Sequence, residues 1–190
     1  QWNGLQERVG EIMQRFDVIY KKNYISSELC DFLVNHYCQW ETAKVDQGDL
    51  NESSRISQTC WIKDDFWQKA FFAVLQDINQ TSFEFDIYAI EALQVTKYAA
   101  PGGKYEWHQD SNGYTPHTDE LVRKVSMSIA LNEDYEGGEF MYLNNHEQKE
   151  VPLKKGDIVV FPSYLLHTVK PVTKGTRYSL VAWASGGPLK

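Results

Sequence analysis

The chain has 190 residues, a mass of 22.0 kDa and 42% hydrophobic residues, enough for one self-sufficient core and too little for two complete folding units. The 19 Lys and Arg stand against 26 Asp and Glu, a net charge of -7, and no stretch gathers basic residues densely enough to follow a phosphate backbone, so no nucleic-acid partner is expected. No run approaches the ~20 apolar residues of a membrane span, and Gln1-Trp2-Asn3-Gly4 lacks the charged-then-apolar order of a signal peptide, so neither a membrane partner nor export is expected.

In chain order, two segments have helical period. Ser27 to about Trp40 places Leu29, Phe32, Leu33 and Tyr37 on one side, and Asp64 to Ile78 carries Phe66, Trp67, Ala70, Phe71, Val74, Leu75 and Ile78. Ser26/Ser27 and Asp64/Asp65 supply the caps. The odd cysteine count, with Cys30 and Cys38 two helical turns apart and Cys60 further on, predicts reduced, partly buried thiols and a cytoplasmic location. Between the helices, the polar stretch from Thr42 to Thr59 is expected to be a long surface loop. After residue 80 the period becomes two. Strands are expected at Phe83–Ile90, Glu91–Tyr98, Val125–Leu131, Glu139–Leu143, Asp157–Phe161 and Arg177–Trp183, separated by turn signals such as Pro101-Gly102-Gly103 and Gly137-Gly138. Helices first and strands afterwards predict a mainly β fold, a sandwich or jelly roll buttressed by N-terminal helices. No repeat or linker interrupts it, so residues 1–190 read as one domain with a helical buttress over about 1–80 and a jelly-roll core over about 81–185.

The sharpest local feature is Trp107-His108-Gln109-Asp110. On an extended segment residues i and i+2 share a face, so His108 and Asp110 can converge on one metal. A single H-x-D triplet arises often by chance, but a buried-strand signal from Gly156 to Ser163 then delivers His167, and Arg177 follows ten residues later. Two histidines and a carboxylate form a facial triad that leaves half of an Fe(II) sphere open. A structural zinc would want a closed shell, and the cysteines lack its spacing. A catalytic zinc with a bound water remains an alternative at this point.

Taken together these residues resemble the Fe(II)/2-oxoglutarate-dependent dioxygenases, and among them the prolyl 4-hydroxylase-like branch. The resemblance rests on Ile90 to Tyr98, Gly103 to Asp110, Leu131-Asn132 with Tyr135 to Phe140, and His167 to Arg177, and it extends over about residues 17 to 185. It implies a double-stranded β-helix in which His108, Asp110 and His167 hold Fe(II) and Arg177 anchors the distal carboxylate of 2-oxoglutarate. Tyr98, Trp183 and more weakly Ser179 and Thr96 would line the cosubstrate pocket. Glu91 and Arg123 match positions on the substrate side, Arg55 lies in a segment the family places near the substrate groove, and Tyr105 and Trp107, with Trp61 and Tyr114, would surround the mouth. The resemblance implies hydroxylation of a prolyl residue in a peptide or protein, with release of succinate and CO2 and with ascorbate as reductant. Aromatic side chains at the mouth suit an extended polyproline-like segment. The alternatives are a hydroxylase of a free amino acid, another residue type or a small metabolite, and a catalytically silent peptide-binding module. The loops 42–59 and 111–124 are natural lids, and His117 reads as a solvated loop residue. The sequence carries no signal of oligomeric state.

Overall fold

The computed structural model describes residues 18–37, 39–43, 53–111 and 121–187. Its elements are β1 (Ile19–Lys21), α1 (Ser27–His36), β2 (Glu41–Thr42), β3 (Arg55–Ile56), β4 (Gln58–Ile62), α2 (Asp65–Ser82), β5 (Ala89–Ile90), β6 (Leu93–Ala99), β7 (Lys104–His108), β8 (Val122–Ala130), β9 (Glu136–Gly137), β10 (Phe140–Asn144), β11 (Glu147–Val151), β12 (Ile158–Pro162), β13 (His167–Val169), β14 (Val172–Lys174) and β15 (Thr176–Gly186). Both helices start where the caps predict. The Ser26 hydroxyl accepts from the Leu29 N–H at 3.2 Å, and the Asp64 carboxylate accepts from the Phe66 N–H at 2.8 Å.

The strands form a jelly roll. One sheet runs β1-β12-β8-β15-β6-β4-β2, with β5 added to β15, and the facing sheet runs β11-β10-β13-β7-β3. The helices cover the outer face of the larger sheet: Leu33 of α1 and Phe71, Leu75 and Ile78 of α2 are buried with Leu93, Val95, Val125, Met127, Ile129, Leu180 and Ala182 in one apolar cluster. A second cluster, including Tyr98, Phe140, Val159, Phe161 and Val169, lies on the inner side. No helix of the described residues is long and apolar enough to cross a membrane.

Several boundaries differ from expectation, each for a tertiary reason. The first helix stops at His36 rather than near Trp40, because Glu41 and Thr42 are taken into pairing with Thr59 and Gln58 at the sheet edge. The expected strand from Phe83 shrinks to Ala89–Ile90. The Asn79 carbonyl accepts from Phe83 and Glu84, and the Asn79 side chain clamps both backbone groups of Phe85, so this segment's hydrogen bonds are spent on the helix end. The region 42–59 is not wholly a surface loop: β3 and β4 join the two sheets, and Ser57 and Thr59 are buried. The first 80 residues thus supply strands to both sheets besides the two helices. The polar strand β11 escaped sequence reading because it is an outermost strand, paired only to β10 through a two-residue turn at Asn145 and His146, both at positive φ. The proposed lids fall largely in 44–52 and 112–120, and with Tyr114 and His117 they lie outside the described residues.

Candidate active site

The larger sheet has a period of two that sorts side chains between its faces. Along β15, Leu180, Ala182 and Ala184 point to the helices, whereas Arg177, Ser179, Val181 and Trp183 line a cavity of about 360 Å³ between the sheets. On β6, Gln94, Thr96 and Tyr98 join them, and on β8 Ser128 does. The smaller sheet closes the cavity from the other side with Tyr105 and His108 of β7, Phe140 of β10, and His167 and Val169 of β13.

His108 and His167 meet because β7 and β13 are antiparallel neighbours with these two residues in register. Asp110 follows β7 and is pinned by its backbone N–H donating to the Ser163 carbonyl at 2.9 Å. The His108 and His167 Nε2 atoms each lie 3.7 Å from an Asp110 carboxylate oxygen, and one donor atom from each residue falls within 4.8 Å of the other two. The Nδ1 atoms face the carbonyls of Glu106 at 2.7 Å and Leu165 at 2.9 Å. A carbonyl can only accept, so both rings carry their proton on Nδ1 and present a bare Nε2 lone pair inward, the tautomer a metal requires. Burial, reinforced by the neighbouring His167, pushes the His108 pKa down to about 3, which leaves that ring neutral at pH 7. Burial alone would raise Asp110. The attraction that His167 and His108 exert when protonated, the Ser126 hydroxyl and the indole N–H of Trp183 outweigh it and hold the carboxyl below its ordinary range, although that indole N–H reaches no acceptor with full hydrogen-bond geometry. Two imidazoles and one carboxylate on one side of an otherwise open cavity form the donor set of a 2-His-1-carboxylate centre.

Deeper in the cavity, Arg177 is 1% exposed. Its Nη1 donates to the Ser179 hydroxyl at 3.1 Å, its guanidinium lies 5.5 Å from the Tyr98 ring centroid, and its Nε has no partner. No carboxylate among the described residues pairs with it. A buried, uncompensated cation is costly, and the planar fork it offers matches a carboxylate. Gly138 makes room for it: a Cβ there would stand 3.0 Å from Arg177 Cδ.

At the mouth, Arg123 donates through Nε and Nη2 to both Glu91 oxygens at 2.5 Å and lies 4.1 Å over the Trp183 ring. Arg55 lies 4.6 Å over Tyr105, a ring that also stacks on His108 at 3.4 Å between centroids. Trp61 completes the rim beside Trp183. Trp107 departs from expectation: it does not line the cavity, and Lys170 sits 5.6 Å over its ring. A register shift between β7 and β13, where His108 pairs with His167 but Tyr105 with Val169, brings both Tyr105 and His108 to the cavity, and Trp107, adjacent to His108, points to the other face. Gln94, Ser128 and Phe140 are lining residues that sequence reading passed over. The same period-two pattern that marks Thr96 and Ser179 would have found Gln94 and Ser128.

Comparison with known proteins agrees with this geometry. Residues 93–185, which span the donor triad and Arg177, match the model of the 2OG-Fe(II) oxygenase superfamily. The match spans just under half of the chain, the half that carries the donor triad and Arg177. Among curated proteins, the chain is 27% identical over 163 residues to a PKHD-type hydroxylase of Psychrobacter, covering 83% of this chain and 63% of that one. It is 41% identical over 86 residues to a PKHD-type hydroxylase of Delftia acidovorans, covering 43% and 38%. It therefore spans less than two thirds of the length of these relatives. Among solved structures, a prolyl-4-hydroxylase of Pseudomonas putida superposes with a TM-score of 0.74 at 24% identity, over 96% of this chain and 99% of that one. A prolyl hydroxylase of Trichoplax adhaerens, solved with a hypoxia inducible factor peptide fragment, gives 0.72 at 16% identity over 97% and 92%. Fe(II) and 2-oxoglutarate are the superfamily's cofactors, and the chemistry present fits both: a triad of the right donors, and a buried guanidinium without a counter-ion among the described residues.

Proposed function

We propose that this chain is an Fe(II)- and 2-oxoglutarate-dependent dioxygenase that hydroxylates a prolyl residue in a peptide or protein. The observation that carries the reading is the pairing, within one cavity, of the His108–Asp110–His167 donor group with the buried, unpaired Arg177. His108, Asp110 and His167 would hold the metal. Arg177, helped by Ser179 and Tyr98, would bind the distal carboxylate of 2-oxoglutarate. When bound, these groups supply the oxidising chemistry: dioxygen is reduced, 2-oxoglutarate becomes succinate and CO2, and the second oxygen atom enters a substrate C–H bond. The protein's part is placement and exclusion of water. Register between β7 and β13 fixes the two imidazoles, backbone carbonyls set their tautomers, and Phe140, Phe161 and Val169 dry the inner wall. The peptide reading is supported by the aromatic rim of Tyr105, Trp61 and Trp183, and by the prolyl hydroxylases among the similar structures. The buried free thiols of Cys30 and Cys60 agree with a reducing, cytoplasmic setting.

The test is succinate formation from 2-oxoglutarate with Fe(II), ascorbate as reductant and air, with and without proline-containing peptides, followed by mass spectrometry of the peptides. Peptide-stimulated succinate and a gain of one oxygen on proline are expected. Peptide-independent succinate would move the substrate to free amino acids or small metabolites, and no succinate from metal-loaded protein would reduce the chain to a binding module.

A further inference from the structure

The two arginines at the cavity mouth are not equivalent. Both are stacked on aromatic rings that hold them in place, Arg123 on Trp183 and Arg55 on Tyr105. Arg123 spends its charge on Glu91 through two hydrogen bonds. Among the described residues Arg55 has only neutral hydrogen-bond partners: Nε donates to the Ser57 hydroxyl at 2.8 Å and Nη2 to the Gln94 side-chain carbonyl at 3.0 Å. Among the described residues no carboxylate meets it, and its Nη1 makes no hydrogen bond. It lines the cavity, half-buried, in a protein whose net charge is -7. A cation so placed, oriented by two neutral acceptors and a ring, is a preorganised anion receptor.

The anion is not 2-oxoglutarate. In the reading above the two ends of 2-oxoglutarate are taken by Arg177 and by the metal at His108, Asp110 and His167, whereas Arg55 is tied to Gln94 at the mouth. One guanidinium with one free nitrogen suits a single negative charge, and a phosphate would bring nearly two. We propose that the substrate carries a carboxylate, bound by Arg55, close in sequence to the residue that is hydroxylated. The Arg55 guanidinium lies 4.6 Å from the Tyr105 ring centre, and that ring 3.4 Å from the His108 ring centre, so the acidic residue stands within about two or three positions of the target, at roughly 3.5 Å of chain per residue. This inference rests on the peptide-hydroxylase reading above.

The test uses N-acetylated, C-amidated pentapeptides with a central proline and one Glu at each other position in turn, each paired with its Gln isostere. Binding is measured by calorimetry to protein loaded with Mn(II) and 2-oxoglutarate without oxygen, and turnover separately with Fe(II). At one or more positions Glu is expected to bind about tenfold more tightly than Gln, the ratio of one partly exposed charge-assisted hydrogen bond. That preference is expected to vanish in Arg55→Gln, to invert toward a Lys peptide in Arg55→Glu, and to persist in Arg55→Lys. Equal affinity for every Glu and Gln pair, or a Glu preference that survives Arg55→Gln, overturns the proposal. So does a loss of 2-oxoglutarate affinity in Arg55→Gln that exceeds the loss of peptide selectivity. If no peptide binds, the peptide reading has failed, and N-acetyl amino acids against their amides decide the carboxylate claim: a carboxylate preference that depends on Arg55 upholds it, and its absence overturns it.

Discussion

The two faces of the larger sheet are built by the same strands and are buried almost equally, yet they do opposite things. The face under the helices is Leu93, Val95, Val125, Met127, Ile129, Leu180 and Ala182, side chains whose removal from water holds the fold together. The inner face carries Gln94, Thr96, Tyr98, Ser128, Arg177 and Ser179, polar groups whose burial costs stability unless partners are found. Stability and chemistry are divided between odd and even residues of a single strand. The comparison makes a claim that can be broken: substitutions on the inner face should change ligand binding and leave the fold standing, and substitutions on the outer face should do the reverse.

The largest effect is expected from Asp110→Ala. Removal of the one carboxylate of the donor group should cut metal-dependent succinate formation by more than the roughly 10- to 100-fold typical of groups that merely support a ligand, with a melting temperature close to that of the parent. Retained turnover would remove the metal assignment. Leu180→Ala on the opposite face of the site-lining strand should lower unfolding free energy by about 2–5 kcal/mol in urea titrations, while metal affinity of the folded protein holds. Arg177→Met sharpens the contrast further, because it removes a buried charge without a counter-ion. Affinity for 2-oxoglutarate should fall about 100-fold, as for a lost charge-assisted pair, and stability without ligand should stay level or rise by up to about 4 kcal/mol. A large destabilisation would show that Arg177 is structural.

Asp157 is the buried carboxylate that serves the fold. It accepts from the Tyr20 hydroxyl at 2.7 Å and from the backbone N–H groups of Asn23 and Lys154 at 2.8 and 3.0 Å. Burial alone would raise its pKa, but these hydrogen bonds prevail and hold it below the ordinary 3.8. Because the folded-state value is depressed, its contribution is present above the unfolded value and is lost as pH falls through the folded one. Asp157→Asn should therefore cost about 1.5–3 kcal/mol near neutrality, with the gap to the parent closing below about pH 4 in acid-unfolding curves. The smallest effect is expected at Gly138, whose φ of +69° and missing Cβ admit the Arg177 stem. Gly138→Ala should cost about 1–2 kcal/mol from the left-handed backbone and weaken 2-oxoglutarate a few-fold in equilibrium binding. A loss of stability with unchanged cosubstrate affinity would limit its role to the turn.

Much of the site was legible in sequence because its signals are short-range. His108 and Asp110 share a face through the two-residue period, and the run from Gly156 to His167 announces a strand followed by a turn. The helix starts were legible from Ser26 and Asp64, since capping is a local hydrogen bond. Less was legible where backbone groups are satisfied by distant partners. Phe83 to Phe85 look like strand residues and are claimed by Asn79, and Glu147–Val151 look like loop and are claimed by β10. Trp107 reads as an aromatic of the mouth but sits on the face of β7 that turns away from the cavity.

The sequence by itself determined the order and spacing of His108, Asp110, His167 and Arg177 and the alternation of apolar and polar residues along the strands. It could not say which face of each strand would be wet, because a period of two is symmetric until a helix or a second sheet covers one side. The tertiary structure decided that both faces are buried, that the polar one encloses a cavity, and that His167 stands opposite His108 across 59 residues of chain. It also decided which arginine at the mouth is neutralised: Arg123 meets Glu91 and Arg55 does not, a distinction made only by the close approach of side chains from strands far apart in sequence.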